Sequence, residues 1–242
     1  MDSTISNESD PIIIRTERLV LRLADPASIP DCNALIHLYQ TYAFPGGNTI
    51  DSIADARLKH KLHGPKAKFC TKGIVPYGMM FLVYLANLPN STSNPDGPCG
   101  QDGVEQPIGH VGLSFRPDGP CPDLGYAMLS SFQGQGYAAE AGREVLKFWR
   151  ETIGVERIYA STAPFNVASH RLAERIGLVK HGGINVIIGS GADEQTVEAV
   201  VFMLPGMEEG WEEGWTIKVN LGKDGEAEKV EDMNVEDPEG ML

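Results

Sequence analysis

Apolar and polar positions alternate along residues 12–23, and a first strand is predicted there. Residues 28–42 carry helical periodicity, with Asp25 or Ser28 as candidate caps. The stretch Phe44-Pro45-Gly46-Gly47-Asn48 ends that helix. A second helix is expected over 51–69, interrupted by Gly64-Pro65. Residues 77–85 form an apolar strand candidate. Residues 86–106 are rich in Asn, Pro, Ser and Gly and read as a long loop inserted into a hairpin that resumes at Ile108. Further strands are expected at 108–115, 123–129 and 157–162, with a helix over 138–153 between the last two. A short helix at 167–176 has Asn166 as its N-cap and Gly177 as its C-cap residue. Residues 185–188 and 196–203 close the sheet as a hairpin, with 196–203 as an exposed edge able to support a homodimer.

One domain is expected at 12–205, between a disordered arm at 1–11 and an acidic tail at 206–242. In the tail, Trp211 and Trp215 are expected to pack back on the body, and the last twenty residues to be disordered. The net charge is −13, but residues from 208 onward hold 12 acidic residues and 3 lysines. The body is therefore only mildly acidic, and a nucleic-acid partner, which needs a basic face, is disfavoured. No run of about 18 apolar residues suggests a membrane span, and residues 1–10 lack the apolar core of a signal peptide. A cytoplasmic location is the expectation. Cys32, Cys70, Cys99 and Cys121 form no Cys-x-x-Cys pair and have no histidine cluster beside them, so no metal site is expected.

The chemistry concentrates at Gln133-Gly134-Gln135-Gly136-Tyr137-Ala138, between a strand and a helix. Two glycines at a helix mouth let a ligand approach the backbone closely. The helix dipole adds partial positive charge there, and the combination suits a phosphate. The spacing is not Gly-x-Gly-x-x-Gly, which disfavours a dinucleotide site. No Gly-Lys-Ser/Thr follows, which disfavours a nucleotide-hydrolysing loop. An ordinary strand-to-helix turn would also use glycine here.

Gln133, Gly136 and Ala138 fill the fixed places of Gln/Arg-x-x-Gly-x-Gly/Ala, and the segment resembles the pyrophosphate motif of the GCN5-related N-acetyltransferases. Four other segments resemble the same family in order: Ile14-Arg15-Thr16-Glu17-Arg18-Leu19-Val20-Leu21-Arg22, Pro107-Ile108-Gly109-His110-Val111-Gly112-Leu113, Gly136-Tyr137-Ala138-Ala139-Glu140-Ala141, and Asn166-x-x-Ser169 with Glu174-Arg175-Ile176-Gly177-Leu178. The likeness covers about 12–204 and is nearest the branch that acetylates ribosomal-protein N-termini and small amines. It implies an α/β (α+β) fold: a mixed, largely antiparallel twisted sheet of six to seven strands, a splayed parallel pair, and about four flanking helices.

The resemblance also implies acetyl-CoA as donor and a primary amine, of a small molecule or a protein N-terminus, as acceptor. The donor would lie between strands 123–129 and 157–162. The N–H of Met128 or Leu129 would polarise the thioester carbonyl. The pyrophosphate would rest on the amides of Gln133, Gly134, Gln135, Gly136, Tyr137 and Ala138, and Asn166 and Ser169 would face the pantetheine arm. Many relatives carry a tyrosine acid seven residues after this Asn, where this chain has Ala173. Ser169, a water or the thiolate's own low basicity must then serve. Asp123 stands where many relatives have Glu and could act as base through water; it could equally be a solvated strand-end carboxylate. His110 could serve as a base near neutral pH or be a hydrogen-bonded strand histidine. Without the tyrosine, a catalytically weak acyl-CoA-binding or regulatory module is the alternative.

Overall fold

The run Met80–Leu85 is apolar at every position because both of its faces are covered. Phe81 and Val83 enter one core, and Met80, Leu82 and Tyr84 enter a second on the opposite side. This strand is the third of a sheet whose order fixes the architecture. The computed structural model describes residues 11–42, 50–73, 75, 79–86, 106–116, 119–188, 194–209, 211 and 215–218. The 1–10 arm, the Pro-Gly break at 44–48, almost all of the 86–106 loop, Cys99 and the last twenty residues lie outside them.

Among the described residues nine strands form one sheet: β1 Ile13–Arg15, β2 Leu19–Leu23, β3 Met80–Leu85, β4 Gly109–Ser114, β5 Asp123–Met128, β6 Tyr159–Thr162, β7 Val179–Ile188, β8 Gln195–Met203 and β9 Thr216–Lys218. Their order is β1-β2-β3-β4-β5-β6-β8-β7-β9. All neighbours are antiparallel except β5 with β6 and β7 with β9. The helices are α1 Ile29–Thr41, α2 Ile53–His63, α3 Tyr137–Lys147 and α4 Val167–Arg175. Helices α3 and α4 cover the larger core, which includes Phe81, Phe115, Trp149, Tyr159 and Phe202. Helix α1 and the start of α2 cover the second, around Leu35, Leu38, Tyr39 and Met80.

Several expectations are corrected. The single first strand is two antiparallel strands, because Thr16 turns the chain: its N–H reaches Leu19 O at 2.9 Å and its hydroxyl accepts from Leu19 N. The second helix stops at His63, and a 3₁₀ turn follows Gly64-Pro65 at Ala67–Phe69. The helix after the glycine turn ends as a π-helical stretch, Phe148–Ile153. Strand β7 starts six residues earlier than expected and carries a bulge between Lys180 and Gly183. The stretch 196–203 is no edge: β8 lies between β6 and β7, so the structural ground for a dimer through it falls away. The sheet exceeds seven strands because of β1 and β9, both only three residues long.

Beyond Pro205 the chain continues along the body. Trp211 is buried, 5.5 Å from the Tyr159 ring, and β9 adds parallel to β7. Replacing Trp211 by Ala should lower stability by about 3 kcal/mol through the cavity it leaves. Urea unfolding checks this; an unchanged midpoint would show that the segment does not hold to the body.

Candidate active site

Strands β4 and β5 pair along their whole length, from Gly109↔Met128 to Ser114↔Asp123. On its other side β5 meets β6 at one position, Asp123↔Tyr159, closed by the Tyr159 N–H on Pro122 O at 3.1 Å. Beyond that pair the strands part. The backbone groups on this side of β5 therefore lack a strand neighbour, and such groups seek another partner.

At the open end, β5 runs through a 3₁₀ turn, Ser130–Phe132, into the glycines. Gly134 and Gly136 have φ of +73° and +83°, a region that a Cβ disfavours. The side chains of Gln133 and Gln135 fold back on the turn, donating to Met128 O and Ser131 O, each at 2.9 Å. Gly136 is the N-cap of α3 and offers no side chain to cap it. The other three α-helices are capped by Ser28, Ser52 and Asn166, whose oxygens accept from Asp31, Asp55 and Ser169 N–H. Among the described residues no side chain caps α3, and its first-turn N–H groups and positive dipole end form the arrangement that binds an anion.

Arg18, from the β1–β2 turn, lies across this mouth. Its Nε and Nη2 hold Glu140 Oε2 at 2.7 and 2.6 Å, and its Nη1 donates to Gln135 O at 3.1 Å. The guanidinium lies 4.7 Å from the Tyr137 ring centroid. Burial raises the Glu140 pKa, but bonds from Thr16 and Arg18 outweigh it and leave it lowered, so the carboxylate is charged.

On the α1/α2 side of the sheet, His110 pairs with Ala127 and is 5% exposed. Its ring stacks on Tyr39 at 5.4 Å and meets Tyr42 at 5.6 Å. The Tyr42 hydroxyl donates to Ala127 O at 3.2 Å. His110 Nδ1 is buried with no hydrogen-bond partner among the described residues. Burial, with a smaller contribution from Lys59, pushes its pKa down to about 3, so the ring is neutral at working pH.

Asp123 stands at the closed end of β5, four residues and about 13 Å of strand from Ala127. Its carboxylate lies 3.5 Å from Arg116 Nε. Burial raises its pKa, opposed by Arg116. The structure thus brings His110, and not Asp123, to the open end of the cleft. Asn166 caps α4 through Ser169 N–H, and Ser169 O accepts the Tyr126 hydroxyl at 3.0 Å, a bond from β5 to α4. Ala173 is buried in the same helix. The Leu129 N–H is already bonded to Ile108 O at 2.9 Å, which removes it as the carbonyl-polarising group and leaves Met128 of that pair.

Residues 18–179 match the model of the acetyltransferase (GNAT) domain. The chain belongs to the GNAT family. Its members are acetyltransferases whose donor is acetyl-CoA. Over 69 residues the chain is 29% identical to the uncharacterized N-acetyltransferase YnaD of Bacillus subtilis, covering 28% of this chain and 41% of YnaD. A GNAT-family acetyltransferase from Bacillus anthracis matches with a TM-score of 0.50 at 19% identity, covering 80% of this chain and 98% of that one. A ribosomal-protein-S5-alanine acetyltransferase from Vibrio fischeri matches at 0.52 and 17%, covering 83% and 99%. The ribosomal L7/L12 α-N-protein acetyltransferase RimL, in complex with coenzyme A, matches at 0.51 and 16%, covering 79% and 97%. At these identities the structures share the GNAT fold with this chain. Among the described residues no helix is long and apolar enough to cross a membrane, and no cluster of three or more His, Cys, Asp or Glu could hold a metal ion.

Arg18, Tyr39, Tyr42 and Tyr126 were not singled out as site residues from the sequence. Only Tyr39 and Tyr42 left a signal, their i, i+3 spacing at the end of a helix. His60 and His63 are also strongly perturbed. Burial foremost lowers their pKa values to about 4 and about 3. All three perturbed histidines, His110 included, bind a proton less readily folded than unfolded, where the ordinary value is 6.5. Stability is therefore full above pH 6.5 and falls as pH drops below it, by at most about 1.4 kcal/mol per pH unit for each histidine. Urea unfolding at pH 7 and pH 5 should show this loss, and His60→Leu should shrink it. A pH-independent midpoint over that interval would show these rings to be solvated.

Proposed function

We propose that this chain transfers the acetyl group of acetyl-CoA directly to a primary amine of a small molecule or a protein N-terminus. The observation that carries the reading is the single β5–β6 pairing, which opens onto a helix mouth without a side-chain cap. The pantetheine arm takes the place of the missing strand neighbour, as an added strand would. The pyrophosphate rests on the amides of Gln133, Gly134, Gln135, Gly136, Tyr137 and Ala138. Met128 N–H polarises the thioester carbonyl, and Asn166 and Ser169 line the arm.

The acceptor amine approaches from the Tyr39–Tyr42–His110 side. When the Tyr39 and Tyr42 rings packed on it shift, the neutral Nδ1 of His110 can accept a hydrogen bond from the amine and orient its lone pair toward the carbonyl. Because a ring with so low a proton affinity holds a proton poorly, the amine must arrive uncharged. Attack forms the C–N bond and a tetrahedral oxyanion, and collapse breaks the C–S bond. Ser169 or a water then donates to the thiolate, which needs little help because a thiol is far more acidic than an alcohol. The proton released from the amine passes to water, because Asp123 stands at the closed end of β5.

Calorimetric titration with acetyl-CoA tests the donor site. Wild-type chain should bind, and Gly136→Trp should not, since its bulk and the left-handed backbone block the turn. No wild-type binding would sink the proposal. With an amine that turns over, kcat/KM should climb with pH up to the amine's own pKa, without a break near 6.5. His110→Phe should lower it about tenfold, the cost of one lost hydrogen bond to the reacting group. A break near 6.5 that His110→Phe removes would instead make His110 a titrating base. The buried Ala173, at the place of the relatives' tyrosine, keeps the alternative of an acyl-CoA-binding module. Tight binding without turnover over a broad panel of amines and N-terminal peptides would favour it.

A further inference from the structure

We infer that Arg18 is the positioning residue of the phosphate turn: by gripping the Gln135 carbonyl it aims the Gly136 N–H outward, into the mouth of α3. The inference rests on the reading of that turn as the donor's phosphate site.

The carbonyl of one residue and the N–H of the next share a planar trans peptide and point in opposite directions. Holding Gln135 O at 3.1 Å on one side therefore fixes the Gly136 N–H on the other. The turn needs such a hold. Gly134 and Gly136 flank this stretch, and glycine admits many backbone conformations. A flipped 135–136 peptide would present a carbonyl oxygen where an anion is to bind. The Gln135 side chain bonds Ser131 O and does not restrain its own carbonyl.

Arg18 is itself fixed from several directions. Glu140 takes two of its nitrogens, its Cζ sits over the Tyr137 ring, and Glu140 is held in turn by the Thr16 hydroxyl and the Arg18 backbone N–H. Each of the three guanidinium nitrogens thus has a partner in the protein, and the one on Gln135 O lets Arg18 act through the peptide. It has a second effect in the same place. Glu140 lies in the first turn of α3, where an unpaired carboxylate would repel phosphate, and Arg18 balances its charge. A lysine ammonium lacks the planar fork that reaches Glu140 and Gln135 O through separate nitrogens.

The test uses Arg18→Ala and Arg18→Lys in the full chain with two donors. Acetyl-CoA affinity is measured by calorimetry, and that of S-acetylpantetheine, which lacks the pyrophosphate and nucleotide, by ligand-observed NMR. Both variants should weaken acetyl-CoA about tenfold, the loss of a well-aligned N–H···phosphate bond, and leave S-acetylpantetheine unchanged. Equal losses with both donors would make Arg18 a general structural residue and overturn the inference. Full affinity in Arg18→Lys would show that charge alone suffices, and unchanged affinity in both variants would show that the turn holds itself; either overturns it. A wild-type chain that binds no acetyl-CoA would fail earlier, overturning the phosphate reading and with it the inference.

Discussion

Backbone groups that a fold leaves unpaired must find a partner, and the site of this protein is organised around that constraint. Strand β5 is fully paired with β4 and almost unpaired with β6. A few residues later, α3 begins without a side-chain cap although the other three α-helices have one. The two gaps are continuous in space because the chain passes from one to the other through 129–136. A ligand with an amide-rich arm and a charged phosphate end meets both needs at once.

The rest of the molecule holds this opening in shape. The core of Phe81, Phe115, Trp149 and Tyr159 pins the sheet on the α3/α4 side, and Tyr159 is the residue at which β5 and β6 still meet. Trp211 packs on Tyr159 from beyond Pro205, so the closed end of the cleft is braced by a segment distant in sequence. Tyr126 joins β5 to α4 across the gap. From the far N-terminal side, Arg18 ties the β1–β2 turn to the glycine turn and to Glu140. Each brace lies outside the backbone ladder, as it must where the ladder is interrupted.

The two faces of the sheet divide the chemistry. The α3/α4 side carries the glycine turn at the mouth of α3. The α1/α2 side carries a low-dielectric aromatic wall in which a histidine is kept neutral by burial. That environment suits an uncharged nucleophile and raises the cost of an ammonium. The wall comes from α1 and β4, whose side chains meet only because β3, buried on both faces, packs against them.

The sequence by itself determined the parts governed by local chemistry. The glycine turn was legible because only glycine sits comfortably at φ near +80° before a helix, and Asn166 was legible as a cap because its oxygen reaches a neighbour three residues on. Most strands were legible from apolar runs, and the family from five ordered segments. Tertiary structure decided what depends on distant partners. It split residues 12–23 at Thr16, whose hydroxyl also bonds Glu140, more than a hundred residues away. It placed β8 inside the sheet, because β8 pairs with β6 on one side and with β7 on the other. It consumed the Leu129 N–H on Ile108 and separated Asp123 from the open end, since register between strands is set by packing and not by spacing. Arg18 read as one polar position in a strand; only folding carried it to the turn it holds, because a charge finds its partner in space and leaves no period in the chain.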